Sequence, residues 1–193
     1  AREYGFKAGC VQPCYVETCV QALQGSEVAV ATVIGFPHGA NCTAAKAFEA
    51  RLALSQGAKE LDMVINIGAL KSRDREKVYE DIKAVVDEAA QFPGSLVKVI
   101  IEACLLNREE KILACQLAVE AGADYVKTST GFAGGGATIE DVKLMAQTVG
   151  ERAKVKASGG IRTREQALAF LAAGASRLGT SSGVAIMQEN WTE

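Results

Sequence analysis

The sequence predicts an α/β fold built on a parallel sheet, and three observations carry the prediction. β-rich runs alternate with alanine-rich helical patterns, nearly every run ends in polar or glycine residues, and one helix-to-strand joint recurs. The joint is a Gly-Ala pair followed by one or two polar residues, at Gly57-Ala58, Gly122-Ala123 and Gly174-Ala175. Glycine suits the left-handed position after a helix, and helical crossovers are what parallel strands need.

Seven strands and five longer helices account for most of the chain. We expect strands at Phe6–Val11, Val28–Ile34, Glu60–Ile65, Leu96–Ile101, Tyr125–Thr130, Lys154–Ser158 and Arg177–Thr180. The helical patterns cover Thr43–Gln56, Asp74–Ala90, Arg108–Ala121, Thr138–Val149 and Arg164–Ala173. Capping signatures begin three of these helices, at Asn107-x-x-Glu110, Thr138-x-x-Asp141 and Thr163-x-x-Gln166.

Both an open doubly wound sheet and a closed (β/α)8 TIM barrel fit this alternation. The barrel is favoured because polar and glycine residues follow the strands, at the ends that build a barrel's active face. A closed barrel has eight strands, so we expect a first strand and most of its helix, about 30 residues, to lie outside this sequence. Residues 1–193 are then a single barrel domain that is incomplete at its N-terminus.

Charge and composition limit the classes of partner. The 193 residues carry a formal net charge of −2, which offers no general attraction to nucleic acid or to an anionic membrane. No apolar stretch approaches the length of a membrane span. We therefore expect a cytoplasmic enzyme that binds neither nucleic acid nor membrane. Helix faces do not separate a dimer surface from solvent, so a homo-oligomer stays open.

The cysteines and the single histidine predict neither a metal site nor a disulfide framework. The six cysteines lack paired Cys-x-x-Cys spacing, and we expect buried, reduced thiols. A Ser-His-Asp arrangement would have to use His38, which lies in a Phe36-Pro37-His38-Gly39 turn and is a poor candidate.

Two lysines in apolar runs are the main pointer to chemistry. Lys127 and Lys156 lie in consecutive predicted strands, whose axes are about 5 Å apart in a parallel sheet. Burial and a neighbouring positive charge favour the neutral amine, which is a nucleophile toward carbonyls. Asp62, on another strand, is a candidate acid or base. The alternative is that one or both lysines face the helices or extend to a strand end.

Glycine and serine residues after the last two strands predict a phosphate site. Loops at these positions of a barrel often bind phosphate, helped by the N-terminus of a short helix; Val184–Gln188 fits such a helix. The candidates are Gly159, Gly160, Gly179, Ser181 and Ser182. Gly131 begins a third glycine-rich loop, for which a plain surface turn is the alternative. Lys98 and Glu102 fit a buried ion pair or polar core layer, and we interpret His38 and Arg162 as structural or peripheral.

Three longer motifs stand in a characteristic order and spacing. They are Glu60-Leu61-Asp62-Met63-Val64-Ile65-Asn66, Val126-Lys127-Thr128-Ser129-Thr130-Gly131-Phe132 and Val155-Lys156-Ala157-Ser158-Gly159-Gly160-Ile161-Arg162. These motifs strongly resemble the deoxyribose-phosphate aldolase family. The similarity runs from Tyr4 to Met187 and includes Ala31-Thr32-Val33-Ile34-Gly35-Phe36-Pro37 and Gly179-Thr180-Ser181-Ser182.

The resemblance implies a class I aldolase on a (β/α)8 barrel, working without metal or other cofactor. It would cleave 2-deoxy-D-ribose 5-phosphate reversibly to acetaldehyde and D-glyceraldehyde 3-phosphate, so its partners are a phosphorylated sugar and aldehydes. Lys127 would form the Schiff base, Lys156 would favour the neutral Lys127 amine and relay protons, and Asp62 would act as acid and base through water. The phosphate would rest on Gly159, Gly160, Gly179, Ser181 and Ser182, with Gly131 at the margin.

Two departures and two rivals accompany this interpretation. The family's opening Asp-His-Thr strand is not in this sequence, and Phe132 follows Gly131 where some relatives have a basic residue. One rival is a phosphate-binding barrel isomerase or synthase that uses Asp62 as a base without imine chemistry. The other is an inactive barrel fragment that serves as a binding or assembly subunit.

Overall fold

Seven parallel strands, in consecutive order, form the sheet that the computed structural model describes over residues 1–188. The strands are β1 (Ala8–Val11), β2 (Ala29–Ile34), β3 (Glu60–Val64), β4 (Leu96–Ile100), β5 (Tyr125–Lys127), β6 (Lys154–Ser158) and β7 (Arg177–Gly179). A doubly wound sheet reverses its strand order at a switch point. The consecutive order therefore excludes that alternative and confirms the barrel class.

Eight α-helices lie within residues 1–188: α1 (Val16–Ala22), α2 (Thr43–Ser55), α3 (Ile67–Lys71), α4 (Arg75–Ala90), α5 (Arg108–Glu120), α6 (Ile139–Val149), α7 (Arg164–Ala172) and α8 (Gly183–Gln188). The five longer predicted helices are confirmed to within a residue at each end. The capping boxes at Asn107 and Thr163 are both present, and Thr138 caps α6 with its side chain alone. The short helices α1 and α3 are not predicted by the sequence pattern.

Alternate residues along each strand face two different environments, the apolar core under the helices and the interior of the curled sheet. Residues such as Leu61, Met63 and Val99 belong to the apolar core that the helices cover. The neighbouring positions carry Asp62 and Lys98 toward the inside of the curled sheet. One side of the sheet is thus an ordinary hydrophobic core, and the other is a buried charged interior.

A side-chain contact across the interior shows that the sheet is curled. Arg177 on β7 donates two hydrogen bonds, of 3.0 and 3.2 Å, to the Glu60 carboxylate on β3. Within residues 1–188, β1 and β7 do not pair with each other. A cavity of about 330 Å³ lies between β1 and β7. Close to this gap, the Gln188 side chain donates a hydrogen bond to the Tyr4 hydroxyl at 2.6 Å.

The helix layer contains a buried ion pair of its own. Lys46 of α2 is fully buried and donates to Asp81 of α4 at 2.5 Å and to the Val64 carbonyl of β3 at 2.9 Å. Burial lowers the pKa of Lys46, and the Asp81 carboxylate opposes that shift. This contact fastens two helices to the end of the strand that carries Asp62.

The prediction of buried thiols is wrong for most of the cysteines. All six are free; Cys115 is buried and Cys19 half-buried, whereas Cys10, Cys14, Cys42 and Cys104 are exposed. Cys14 and Cys104 lie in 3-10 turns, and Cys42 precedes α2 as its cap residue. These loop positions face away from the core, which hydrophobic composition alone does not reveal. No helix in residues 1–188 is long and apolar enough to cross a membrane.

Candidate active site

A buried carboxylate in the middle of β3 brings three lysines together. Asp62 is fully buried, and its Oδ2 lies 2.6 Å from Lys127 Nζ and 2.7 Å from Lys156 Nζ. Its other oxygen, Oδ1, lies 2.8 Å from Lys98 Nζ. Lys127 and Lys156 therefore point inward and share one carboxylate oxygen.

The strand register explains this convergence. Asp62 is paired with Lys98 across β3 and β4, and Lys127 is paired with Lys156 across β5 and β6. Paired positions in neighbouring parallel strands project to the same side of the sheet. Curling of the sheet then carries β5 and β6 toward β3, so that the amines reach a carboxylate two or three strands away.

Burial and charge oppose each other at this cluster. Burial raises the pKa of the Asp62 carboxyl, but the Lys127, Lys156 and Lys98 ammonium groups together outweigh it and hold that pKa far below its usual range. Burial lowers the pKa of Lys156, assisted by Lys127 and Lys98 and opposed by Asp62. The site therefore combines a carboxylate that stays ionised with an amine that gives up its proton more readily than a free lysine.

Lys98 and Glu102 are both buried polar residues, as expected, but they do not pair with each other. Lys98 Nζ lies 2.7 Å from Glu60 and 2.8 Å from Asp62, so it connects the Arg177–Glu60 contact to the site. Glu102 lies beyond the end of β4, where the chain turns with a φ of 52°. That turn ends the alternation of side chains along the strand, and the Glu102 side chain contacts Thr130 instead.

The amines open into a cavity of about 540 Å³ at the carboxyl ends of the strands. Five of the six phosphate candidates line it together with Lys127 and Lys156, namely Gly131, Gly159, Gly160, Gly179 and Ser181. Ser182 is not among the lining residues, and its backbone N–H donates to Thr180 Oγ1 at 2.9 Å. Arg162 does line the cavity. The alternation of side chains along a strand does not predict the position of Arg162, because this residue lies in a loop.

The glycine loops are packed against each other and are not plain surface turns. Gly159 and Gly160 have φ values of 90° and 81°, which only glycine adopts readily. The Gly159 carbonyl accepts from Ala137 N at 3.1 Å. A Cβ at Gly136 would lie 2.3 Å from the same oxygen. The loop that follows β5 is therefore seated on the loop that follows β6.

Fold and site together define an α/β-barrel enzyme with two buried lysines that line one cavity. The cavity lies at the strand ends where barrel enzymes have their active sites, and a buried amine beside a second cation is suited to covalent catalysis. Among residues 1–188, no group of three or more His, Cys, Asp and Glu side chains could hold a metal ion.

Comparison with known proteins specifies the family. Residues 3–191 match the model of the DeoC/LacD family aldolase. A protein of Carboxydothermus hydrogenoformans called deoxyribose-phosphate aldolase is 62% identical over 189 residues, which cover 97% of this chain and 83% of the relative. This chain belongs to the DeoC/LacD family of aldolases.

Solved structures agree with this assignment. The structure of a putative deoxyribose-phosphate aldolase from Coccidioides immitis superposes with a TM-score of 0.95 at 48% identity, over 98% of this chain and 75% of that one. A tetrameric deoxyribose phosphate aldolase from Aeropyrum pernix superposes with a TM-score of 0.90 at 36% identity, over 97% and 79% of the two chains.

Proposed function

We propose that this protein is a class I aldolase that reversibly cleaves 2-deoxy-D-ribose 5-phosphate to acetaldehyde and D-glyceraldehyde 3-phosphate through a Schiff base on Lys127. The observation that carries the proposal is the pair of amines, Lys127 and Lys156, bound to one oxygen of Asp62. The same cavity offers glycine loops to a phosphate. Relatives at 57% to 62% identity carry the name of this activity.

Lys127 is the proposed nucleophile. Its motif, Val126-Lys127-Thr128-Ser129-Thr130-Gly131, is the one that resembles the Schiff-base segment of the family. The amine attacks the aldehyde carbon of the open-chain sugar, and loss of water from the carbinolamine leaves an iminium ion. The iminium is an electron sink that takes up the electron pair of the breaking C–C bond.

Asp62 and Lys156 are the proposed proton carriers. Both amines contact Asp62 Oδ2, at 2.6 and 2.7 Å, so the ionised carboxylate holds them side by side and a proton can pass from Lys127 to Lys156. As the C–C bond breaks, the C3 hydroxyl gives up its proton to this pair through a water molecule, and an enamine remains on Lys127. Protonation of the enamine and hydrolysis of the resulting iminium release acetaldehyde.

The glycine loops are the proposed phosphate site. Gly159, Gly160 and Gly179 let backbone N–H groups approach an anion closely, and Ser181 adds a hydroxyl donor. The Arg162 side chain lines the same cavity and supplies positive charge. Binding the phosphate at a distance from the reacting carbon fixes that carbon against Lys127, so part of the rate enhancement is positional.

Borohydride reduction in the presence of 2-deoxy-D-ribose 5-phosphate tests the proposal. We expect one covalent label per chain, mapped by peptide mass spectrometry to Lys127, and none on a Lys127→Met variant. Lys154→Met is the matched control, because Lys154 begins β6 but is exposed; it should label like the wild type. Label on Lys156 would contradict the role of Lys127. Turnover without label would favour the isomerase or synthase, and neither turnover nor label would favour the inactive subunit.

A cytoplasmic location and self-association stay predictions. The tetramer of the Aeropyrum pernix relative supports the second.

A further inference from the structure

Phe132 presents an aromatic surface beside the amines. It follows Gly131 in the loop after β5, and it lines the same cavity as Lys127 and Lys156. Of its surface, 72% is exposed. A large apolar side chain that lines a cavity and is mostly exposed has a free face for a ligand to contact.

A second aromatic side chain fixes the position of this ring. Phe36, in the loop after β2, meets Phe132 edge to face, with ring centroids 5.4 Å apart and planes at 88°. The two loops belong to strands separated by β3 and β4. The aromatic pair therefore spans the mouth of the barrel on the side of the strands that carry Asp62 and Lys98.

The buried Glu102 carboxylate fixes the backbone of Phe132 through Thr130. The Phe132 N–H donates to Thr130 Oγ1 at 3.0 Å. The Thr130 hydroxyl in turn donates to Glu102 Oε2, and the Thr130 N–H donates to Glu102 Oε1 at 3.1 Å. Glu102 is 1% exposed and has a φ of 52°, a conformation that a non-glycine residue keeps only where its surroundings enforce it. Glu102, Thr130 and the Phe132 backbone thus form a hydrogen-bonded chain, here called the brace, which holds the Phe132 ring at its outer end.

We propose that Phe132 is a specificity-determining residue that binds the alkyl part of apolar, unphosphorylated acceptor aldehydes, and that Thr130 and Glu102 are positioning residues for it. The inference rests on the proposed aldolase function. In the synthetic direction, acetaldehyde forms the enamine on Lys127, and the enamine carbon bonds to the carbonyl carbon of the acceptor. The acceptor oxygen takes up a proton, and water releases the product from the iminium.

The two kinds of acceptor use different parts of the cavity. A phosphorylated acceptor places its anion on the glycine loops around Gly159 and Gly179. An alkyl acceptor has no group that accepts hydrogen bonds from those amides. Its binding is favoured because its methylenes and the Phe132 face are removed from water. A basic side chain at this position would favour the anion instead. Phe132 therefore shifts the preference of the enzyme toward apolar acceptors.

The test is the addition of acetaldehyde to propanal, butanal and hexanal. For the wild type we expect the KM of the acceptor to fall about twofold per added methylene, against the roughly fourfold change that complete burial of a methylene gives. Phe132→Ala should remove this dependence. Phe48→Ala is the matched control, because Phe48 is 62% exposed on α2, outside the cavity lining; it should retain the wild-type slope. A Phe132→Ala slope equal to the wild-type slope would overturn the proposal.

The brace is tested at Thr130. Thr130→Val removes the hydroxyl and keeps the shape, and we expect a raised KM for hexanal with little change for propanal. Thr130→Ser keeps the hydroxyl and should restore the wild-type slope. A purely structural role would instead lower kcat for every acceptor alike, and that outcome would refute the positioning role.

Borohydride labelling of wild-type Lys127 by acetaldehyde alone separates the two hypotheses. Absence of this label refutes the proposed function, whereas label together with a flat chain-length dependence refutes only the role of Phe132.

Discussion

At the scale of single residues, the charge balance around Asp62 is the unusual feature. One buried carboxylate contacts three ammonium groups, those of Lys98, Lys127 and Lys156. Removing one partner of a buried ion pair leaves an uncompensated charge in a medium that solvates it poorly. Asp62 is therefore a condition for holding the three amines together in the interior.

Asp62→Asn should lower the free energy of unfolding at pH 7 by about 3 to 5 kcal/mol, because it leaves Lys127 and Lys156 without their counter-charge, whereas Lys98 keeps Glu60. The native Asp62 carboxyl has a pKa far below its usual range, whereas an unfolded aspartate takes up a proton near pH 4. The stabilisation is thus complete above that pH and is lost as the pH falls toward the native pKa. The gap between wild type and variant should shrink below about pH 5.

Urea unfolding at pH 7 and at pH 4 measures both effects. Glu110→Gln is the control, since it removes the partly exposed Lys71–Glu110 pair and should change stability little. An Asp62→Asn variant as stable as the wild type, or a gap that widens in acid, would show that the cluster does not carry this charge balance.

At the scale of elements, the loops after β5 and β6 act as one unit. The Gly159 carbonyl accepts from Ala137 N at 3.1 Å, and an added Cβ at Gly159 would lie 2.9 Å from Gly136 Cα. Contacts this close leave no room for side chains. The positions of the proposed phosphate loop and of the loop that carries Phe132 therefore depend on each other.

Gly136→Ala tests this coupling. The new methyl group would lie 2.3 Å from the Gly159 carbonyl oxygen, so the two loops must separate. A displacement of about 1 Å near the substrate can lower the rate about 100-fold, and we expect a loss of that order in kcat/KM for 2-deoxy-D-ribose 5-phosphate. Steady-state kinetics measure it. Gly68→Ala in α3 is the control, because its Cβ would meet only Asn66 Oδ1 at 3.5 Å; equal kinetics for the two variants would contradict the coupling.

At the scale of the whole molecule, buried charges hold the curl of the sheet. Arg177 on β7 binds Glu60 on β3, and Lys98 on β4 connects Glu60 to Asp62. The Arg177–Glu60 contact crosses the interior, whereas the backbone ladder joins only neighbouring strands. Side chains therefore hold β7 toward β3 across the interior.

Arg177→Met should destabilise the fold by about 3 kcal/mol and promote association, because Glu60 is left buried without one partner and the strand edges become freer to pair. Urea unfolding and sedimentation velocity measure the two effects. Lys83→Met is the matched control: Lys83 pairs with Asp87 on the solvent side of α4, where both side chains are exposed, and its loss should leave stability near the wild-type value. Similar effects of the two variants would contradict the role of the interior contact.

The sequence by itself determines the features that depend on near neighbours. Strand and helix alternation, the capping boxes at Asn107 and Thr163, and the placement of Lys127 and Lys156 on consecutive strands are local patterns, and the structure has all of them. Each follows from backbone geometry over a few residues. The family resemblance of these same segments pointed to the aldolase assignment, which the comparisons confirm.

Only the tertiary structure decides which side chains meet across the barrel. Glu60 and Arg177 are 117 residues apart in the chain, and Asp62 and Lys156 are 94 apart. Their contacts depend on the curl of seven strands, which no local pattern encodes. The same holds for Glu102, whose left-handed turn directs it to Thr130 instead of Lys98, and for the loop residue Arg162 on the cavity wall. Short-range patterns thus place the amines on neighbouring strands, and long-range packing decides that they face the interior and which partners they meet.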